Sequence, residues 1–439
     1  MYGESLKDKA KQRVVGLIEE RRDEIISFLG EYIRHKSVNP VLQITPEGEE
    51  ECQRWLAAQL EKFGFADKID IWEVERGRPN VVALLKGSGG GRSLLLNGHS
   101  DVVPVTEDQL RDWDGPGPWS GEVFDWKVWG RGASDMKGGN IAFIMAAKML
   151  HDAGIQLKGD LILSLVIGEE SGQHEIGCDT VLERGYNASF AVVAELTGLR
   201  LYPVLKGEIY FRIGVRGKAT HICNRNKCAT QPLSYGEEPM GISAIDKMWK
   251  IQRAILDLES QWTVYRQHPL IPPGGQFISI NTIRGGSSLT SIPDFCEVTG
   301  SLLFNPGHTS KEIIEELRTV INSVVETDYW LKANPPEVEI PFMGLLKEPV
   351  EVPLNHEGCK ALSDSYLEVM GRDIDVRVSP FVCDANFLFP KGQVVVVFGP
   401  GDLYMGVHGA NEYVPVDQVI NACKVFATMI VNWCGVDHM

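Results

Sequence analysis

Short apolar runs alternate with amphipathic stretches along the first part of the chain. Charged stretches at about 5–35 and 47–64 carry apolar residues at helical spacing and predict two helices, and the apolar face of 140–154 predicts a third. Four short apolar runs are typical of buried strands: 80–86, 93–99, 161–170 and 190–195. Strands that alternate with helices in this way favour an α/β domain around a mostly parallel central sheet.

The pattern changes near Lys206. Six segments then follow in the order strand, helix, strand, strand, helix, strand: 209–217, 242–255, 276–286, 295–304, 310–325 and 337–343. This βαββαβ order is that of the ferredoxin-like fold, which makes a small α+β domain of its own.

After this segment the α/β pattern resumes. Three elements carry it to the end of the chain: a helix at 356–371, a strand at 394–401 and a helix at 417–434. A chain of 439 residues exceeds the size at which one hydrophobic core usually keeps growing, so two domains are expected. We predict one domain built from 1–206 and 346–439, with 207–345 inserted into it.

Composition narrows the class of protein. Hydrophobic residues make up 44% and charged residues 23%, as in ordinary globular enzymes. The net charge of −16 argues against nucleic acid and anionic membrane surfaces as partners. No apolar run approaches the ~20 residues of a membrane helix, and the charged start lacks the apolar core of a signal peptide. Nine scattered cysteines indicate reduced thiols, so we expect a cytoplasmic protein.

Five short segments place acidic residues or histidine at the ends of predicted strands or just beyond, where open α/β sheets bind ligands. The first, LLLNGHSDVVP, contains His99 and Asp101. Residues two apart in an extended chain point the same way, so Asp101 can reach back to the imidazole of His99 and fix its tautomer. Taken alone, a strand-end histidine and a turn aspartate explain this segment more simply.

The other four segments supply carboxylates and a second histidine. Asp135 lies among glycines in WGRGASDMKGG, ahead of a helix that starts from the glycine pair, so its carboxylate is free for another use. Glu169 and Glu170 follow an apolar strand, where adjacent carboxylates are costly unless a cation or water neutralises them. Glu195 ends VVAELTG, and His408 lies in a glycine-rich loop. A capping turn and a solvated acidic turn remain the simpler alternatives for the Asp135 and Glu169–Glu170 segments.

Beside Asp101 and Glu169, these segments supply two histidines, His99 and His408, and three carboxylates, enough for two metal ions that share one bridging carboxylate. The three carboxylates are those of Asp135, Glu170 and Glu195. Nitrogen and oxygen donors without thiolate favour zinc, with manganese or cobalt as alternatives. The histidines without such a context are predicted to be surface or structural residues: His151, His174, His268, His308, His356 and His438.

The segments GHSDVVP, GRGASDMKGG, EESG, AELTG and HGANEYVP resemble, in the same order, the motifs of the di-zinc aminoacylase and carboxypeptidase family. That family includes acetylornithine deacetylase, succinyl-diaminopimelate desuccinylase, aminoacylase-1 and glutamate carboxypeptidase. The resemblance spans 97–413 and extends to the domain layout. It implies a zinc-peptidase-like catalytic domain and an inserted ferredoxin-like domain that acts in dimerisation and as a lid.

The resemblance also implies which residues hold the metals. His99 and Glu195 would bind one ion, Glu170 and His408 the other, and Asp135 would bridge the two. The peptide bond after Asp135 is expected to be cis. Two cations lower the pKa of a water between them towards neutrality, which would make hydroxide available for attack.

Three further roles follow from the resemblance. Asp101 would orient His99, and Glu169 would be the general base that takes the proton of the attacking water and returns it to the departing amine. His221, in RGKATH, matches a histidine that the inserted domain of a partner subunit donates to stabilise the oxyanion. A homodimer joined through the inserted domain is therefore expected.

The sequence departs from the family pattern at positions that concern the substrate. Thr290 stands where many relatives have asparagine. The segment Val382–Asp384 stands where relatives frequently have Gly-Thr-Asp. Thr290, Cys383 and Asp384 are therefore candidate substrate contacts. Three arginines are candidates for binding a substrate carboxylate: Arg225, Arg284 and Arg377. These departures leave the acyl group and the amine open.

The function that follows is metal-dependent hydrolysis of an amide bond in a small N-acyl amino acid or a related compound. An aminohydrolase that releases ammonia from an unusual small amine is the alternative within enzymology, because the same hydroxide could attack an electron-poor carbon. An inactive binding or scaffold protein is disfavoured, because such chains usually lose ligands or the base, whereas this one keeps all five ligands and Glu169.

Overall fold

The computed structural model describes three stretches of the chain: 5–43, 48–225 and 239–439. The chain divides into two compact units, Met1–Val204 with Val350–Met439 and Leu205–Pro349. Each unit buries its own set of apolar side chains. The catalytic and dimerisation roles of the two predicted domains remain predictions at this point.

The described residues form the following α-helices: α1 Leu6–Glu20, α2 Arg22–Arg34, α3 Glu49–Phe63, α4 Glu107–Arg111, α5 Gly138–Asp152, α6 Cys178–Glu183, α7 Ala244–Tyr265, α8 Ser310–Thr327, α9 Tyr329–Ala333, α10 Glu357–Met370, α11 Ala385–Leu388 and α12 Val416–Cys434. None of these helices is long and apolar enough to cross a bilayer.

The β-strands of the described residues are as follows: β1 Lys68–Glu73, β2 Pro79–Leu85, β3 Leu94–His99, β4 Val123–Phe124, β5 Lys127–Trp129, β6 Gln156–Leu157, β7 Leu161–Val166, β8 Phe190–Val193, β9 Leu201–Leu205, β10 Gly207–Arg216, β11 Phe277–Gly285, β12 Phe295–Phe304, β13 Glu337–Glu339, β14 Leu346–Lys347, β15 Val350–Glu351, β16 Val376–Val378, β17 Val395–Val397, β18 Tyr413–Pro415 and β19 Val436–His438.

A nine-stranded sheet organises the first unit, in the order β1-β2-β7-β3-β8-β17-β9-β15, with β16 beside β9. The central strands β7, β3, β8 and β17 are parallel, as the sequence predicts. The sheet as a whole is mixed, because β1 and β2 run antiparallel to their neighbours and β9 runs antiparallel to β17. Every residue of β3, β7 and β8 is buried, which explains their continuous apolar runs.

The single opening helix expected over 5–35 is wrong, since two helices, α1 and α2, meet at Arg21. Arg21 leaves helical geometry at φ −108° and ψ 27°, and its guanidinium pairs with Asp152 at 2.5 Å. The turn allows each helix to bury its own apolar stripe, which begins with Ala10 and Val14 in α1 and with Ile25 in α2. Charged residues lie on both sides of Arg21, so the sequence pattern does not indicate that the helix ends there.

The second unit has the predicted βαββαβ order. Its sheet runs β11-β12-β10-β13, and all of these neighbours are antiparallel. Helices α7 and α8 pack against each other, and α7 also packs on the sheet. Trp262 of α7 is almost completely buried in their common core with Phe211 and Phe304. The start of α8 is fixed by a capping box, in which Thr309 and Glu312 each bond to the other's backbone N–H.

Asp328 ties three elements of this unit together. Its carboxylate accepts hydrogen bonds from Lys247 at 2.8 Å and Lys250 at 2.7 Å, both on α7. It also caps α9 by accepting the backbone N–H groups of Trp330 and Leu331. Burial alone would raise the pKa of Asp328, but the bonds from the two lysines outweigh it and hold the pKa well below its usual range.

Asp328→Asn is therefore expected to lower the free energy of unfolding by about 2 kcal/mol at pH 7, because it removes charge-assisted hydrogen bonds from a buried position. A depressed pKa contributes stability above the unfolded value of about 3.9, and that contribution is lost as pH falls through the folded value. The difference between wild type and variant should thus shrink below about pH 5.

Urea unfolding from pH 7 down to about pH 2 measures this effect. Asp257→Asn is the matched control, since the Asp257 carboxylate lies 3.2 Å from Arg253 on the exposed side of the same helix α7. We expect less than about 0.5 kcal/mol for the control. Equal losses in the two variants, or a difference that does not change with pH, would contradict the role given to Asp328.

Candidate metal centre

The parallel strands β3, β7 and β8 are neighbours, so their carboxyl ends meet at one edge of the sheet. His99 is the last residue of β3 and lies level with Val166, the last residue of β7. Glu170 and Glu195 follow the ends of β7 and β8 by a few residues. Three of the predicted ligands are brought together by this register alone.

His99, Glu195 and Asp135 form the first donor group. His99 Nε2 lies 3.1 Å from Asp135 Oδ1 and 3.4 Å from Glu195 Oε1. The His99 and Glu195 side chains are almost completely buried. Donor atoms at these separations could hold one metal ion.

Asp135, Glu170 and His408 form the second donor group. His408 Nε2 lies 3.0 Å from Glu170 Oε2 and 3.3 Å from Asp135 Oδ2. Asp135 thus presents one oxygen to each histidine, as a bridging carboxylate would. All five side chains predicted to bind metal lie in these two groups, and both groups belong to the first unit.

The electrostatics of the two groups favour cations. Burial, with the charge of Asp135 added, raises the pKa values of Glu170 and Glu195 to about 8. Hydrogen bonds to Asp135 and Glu170 raise the pKa of His408 to about 11. The protons held in this way mark sites where a divalent ion can bind and displace them. The nitrogen and oxygen donors therefore fit a two-metal centre.

Asp135 is held by its backbone. It lies in the turn Ala133–Lys137, between Gly132 and the start of α5, and its bond to Met136 is cis, as the resemblance implies. Glu412 Oε1 accepts the N–H groups of Ser134 at 3.1 Å and Asp135 at 3.2 Å. This carboxylate therefore fixes the backbone at the bridging residue.

Glu412 is itself paired with Arg131, whose Nη1 lies 2.5 Å from Glu412 Oε2 with both side chains buried. The same guanidinium donates to the carbonyl of Gly409 at 2.8 Å, beside His408. The pair thus links the turn of Asp135 to the loop of His408. The sequence analysis did not identify either residue, although both lie inside the quoted motif segments and could have been suspected from that position.

The orientation of His99 corrects one detail of the prediction. The imidazole Nδ1–H donates to the backbone carbonyl of Asp101 at 2.9 Å, whereas the Asp101 carboxylate lies 3.7 Å away. That carboxylate instead accepts the side-chain amide of Asn39 at 2.8 Å and the backbone N–H of Glu170 at 3.1 Å. The turn after His99 places the backbone carbonyl of Asp101, rather than its carboxylate, within hydrogen-bond distance of the His99 Nδ1. Nε2 is left facing Asp135 and Glu195, as a metal ligand requires.

Glu169 lies next to the first donor group. Its carboxylate contributes to raising the pKa values of both His99 and Glu195, which places the charge close to them. The residue is half-buried in the turn after β7.

Four of the predicted site residues lie in the second unit. His221, Arg225, Arg284 and Thr290 are all exposed there. His221 Nδ1 accepts the N–H of Cys223 at 3.3 Å, and Arg225 is paired with Asp246.

The last three candidate substrate contacts lie in the first unit. Cys383 and Asp384 are buried, and Asp384 accepts hydrogen bonds from Asn97 at 2.9 Å and His174 at 3.0 Å. The exposed Arg377 is paired with Asp375 at 3.0 Å. His174 is buried, and with Cys178 and Asp384 it forms a third group of potential metal ligands.

Comparison with known proteins identifies the family of the chain. The sequence profile described as peptidase family M20/M25/M40 matches residues 95–432. The chain is 33% identical over 435 residues to N-formyl-4-amino-5-aminomethyl-2-methylpyrimidine deformylase of Bacillus subtilis, covering 95% of this chain and 96% of that protein. It is 29% identical over 440 residues to the protein of the same name in Halalkalibacterium halodurans, covering 96% and 97%.

A solved structure shares the fold. The YXEP protein of Bacillus subtilis, described as a dinuclear metal-binding peptidase of the M20 family, superimposes with a TM-score of 0.64 at 16% identity, covering 94% of this chain and 98% of that chain. The predicted fold class is confirmed. The chain is a metal-dependent hydrolase of amide bonds and belongs to the peptidase family M20/M25/M40.

Proposed function

We propose that this enzyme removes the formyl group from an N-formyl amine carried by a small heteroaromatic ring, such as an aminomethylpyrimidine. The observation that carries the proposal is the 33% identity to the Bacillus subtilis deformylase over 95% of this chain. That similarity includes the second unit, where three of the candidate substrate residues lie. The reaction adds water to the amide and gives formate and the free amine.

We propose zinc as the native metal, held by His99, Glu195 and Asp135 in one position and by Asp135, Glu170 and His408 in the other. The donor set of imidazole nitrogens and carboxylate oxygens, without thiolate, is one that zinc favours. When bound, the two ions would lower the pKa of the attacking water and polarise the scissile carbonyl.

Glu169 is the proposed general base. It accepts the proton of the attacking water as the new carbon–oxygen bond forms, and it returns that proton to the amine nitrogen as the carbon–nitrogen bond breaks. The proximity of the Glu169 charge to His99 and Glu195 supports this assignment. His221 of a partner subunit is proposed to donate a hydrogen bond to the developing oxyanion.

A homodimer through the second unit is part of this proposal. Among the described residues, β11 pairs only with β12 and leaves its other edge open. Ile283 on this strand and Trp249 on the neighbouring helix α7 are both more than half exposed. An open edge strand beside exposed apolar side chains is suited to pairing with a second copy.

The substrate assignment predicts a preference that a matched panel can measure. Formyl, acetyl and succinyl derivatives of one aminomethylpyrimidine isolate the acyl group, and N-formylmethionine changes the amine. We expect the formyl pyrimidine to have the highest kcat/KM, by at least about tenfold over the acetyl compound. Formate and ammonia are both assayed, because a 4-amino group on the ring could leave as ammonia. Ammonia release, or preference for an acyl amino acid, would overturn the assignment.

The base assignment predicts that Glu169→Gln lowers kcat by about 10²- to 10⁴-fold while the protein keeps its metal. Elemental analysis should find two zinc ions per chain in both proteins. The matched control is Glu175→Gln, an exposed residue of the same loop, which should leave kcat unchanged. Near-normal turnover in Glu169→Gln rules out the base role, and loss of metal in that variant would make Glu169 a ligand instead.

The dimer prediction is tested by sedimentation. Wild type should have twice the mass of one chain, and the double variant Trp249→Asp with Ile283→Lys should sediment as a monomer. Tyr329→Asp is the control, since it places a charge on a fully exposed aromatic elsewhere in the same unit. A monomeric wild type, or an unchanged mass in the double variant, would refute the proposed interface.

A further inference from the structure

Three buried side chains of the first unit form a chain of hydrogen bonds behind the candidate metal centre. Asn97 Nδ2 donates to Asp384 Oδ2 at 2.9 Å, and His174 Nδ1 donates to Asp384 Oδ1 at 3.0 Å. None of the three is more than 1% exposed. The three residues are far apart in sequence, so their hydrogen bonds join three separate segments of the chain.

Two of these segments carry proposed site residues. Asn97 lies on β3 two positions before His99, so the two side chains point to the same side of the strand. His174 belongs to the loop after β7 that contains Glu169 and Glu170. Asp384 therefore joins the strand of His99 to the loop of the proposed base.

The loop is closed upon itself near His174. Backbone bonds run from Gly172 N to the Glu169 carbonyl and from Gln173 N to the Gly168 carbonyl, both at 2.8 Å. The carbonyl of His174 in turn accepts the N–H groups of Gly177 and Asp179 at 3.1 Å. A displacement of His174 is thus transmitted along a short, internally bonded turn to Glu169.

The contacts of His174 hold its ring in one plane. Burial would raise the pKa of Asp384, but the bond from His174 outweighs it and lowers that pKa, in keeping with a carboxylate that accepts the Nδ1–H of His174. Phe387 stacks on the imidazole at 3.5 Å between ring centres. Nε2 has no hydrogen-bond partner among the described residues, so the polar anchoring of the ring is concentrated on its Nδ1 side.

We propose that His174 is a positioning residue for the reaction. Through Asp384 and Asn97 it holds the Glu169–Glu170 loop at a fixed distance from the strand of His99, and the donor at the Nδ1 position is the part that matters. This inference rests on the proposed role of Glu169. It does not depend on the formyl substrate.

Two substitutions separate the hydrogen bond from the packing of the ring. His174→Phe keeps an aromatic ring against Phe387 but has no donor, whereas His174→Asn keeps an amide N–H at the Nδ1 position but has no ring. We expect His174→Phe to lower kcat by about 10- to 100-fold, with KM within about threefold and two metal ions retained. His174→Asn should stay within about threefold of wild type. Assays use whichever amide of the panel the wild type hydrolyses fastest.

Two further variants guard the test against misfolding. If His174→Phe does not fold, His174→Gln replaces it, because the glutamine amide lies at the position of Nε2 and does not supply a donor at the Nδ1 position. The control is His151→Phe, on the exposed end of α5. The double variant His174→Phe with Asp384→Asn should lose no more than the worse single variant, because the two residues act as one unit.

Several outcomes would overturn the inference. One is normal kcat in metal-loaded His174→Phe, and another is equal loss in His174→Asn, which would make ring packing decisive. A change confined to KM would make His174 a substrate contact. Loss of a third metal equivalent in Cys178→Ala would make the group a cation site. Near-normal activity in Glu169→Gln is a separate result and counts against the base, not against the contacts of His174.

Discussion

Three carboxylates, Asp135, Glu170 and Glu195, are crowded at one edge of a buried sheet, and this crowding of like charge is the constraint on which the site depends. Asp135 lies within 3.3 Å of both histidines and stands between the two acidic partners. Burial and the neighbouring charge of Asp135 together make the ionised forms unfavourable without a counter-charge, which is why the pKa values of Glu170 and Glu195 rise to about 8. Cations relieve the repulsion, so that metal binding and the stability of this edge are coupled.

The same constraint explains how closely the backbone packs around the centre. A Cβ on Gly98 would lie 2.0 Å from Asn140 Oδ1, and one on Gly139 would lie 1.9 Å from the Ala194 carbonyl. These two glycines let the start of α5 sit directly on the strands of His99 and Glu195. Asn140 then donates to the His99 carbonyl at 2.7 Å and holds the helix there. The position of Asp135, just before α5, follows from this contact.

A buried lysine supports the turn from the opposite side. Lys137 Nζ donates to the carbonyls of Tyr32 at 3.0 Å and His35 at 2.8 Å, at the carboxyl end of α2. A cation at this end of a helix is favoured by the helix dipole. The turn of Asp135 is therefore held by Glu412 on its amide groups and by α2 through Lys137. Rigid support of this kind is what a bridging ligand needs to keep two ions at a constant separation.

The sequence is sufficient to predict that His99, Glu170 and Glu195 lie together, because apolar runs locate the strand ends and parallel strands bring those ends together. It cannot predict contacts that depend on distant segments. Arg131 and Glu412 are 281 residues apart, and His174 and Asp384 are 210 apart. A histidine in a polar loop gives no sign that it will be buried. The contact between His99 and Asp101 is another example, since the choice between the carbonyl and the carboxylate of Asp101 depends on the turn that follows His99.

The proposed metal centre and several of the proposed substrate contacts lie in different units of this chain. The five proposed ligands and Glu169 lie in the first unit, whereas Arg225, Arg284 and Thr290 lie in the second. Under the proposed function, substitutions at these three positions are expected to change the preferred acyl group or amine without disturbing the metal centre. For the same reason the metal motifs identify amide hydrolysis but leave the substrate open. Similarity to the deformylase that extends across both units is then a stronger guide to the substrate than any motif.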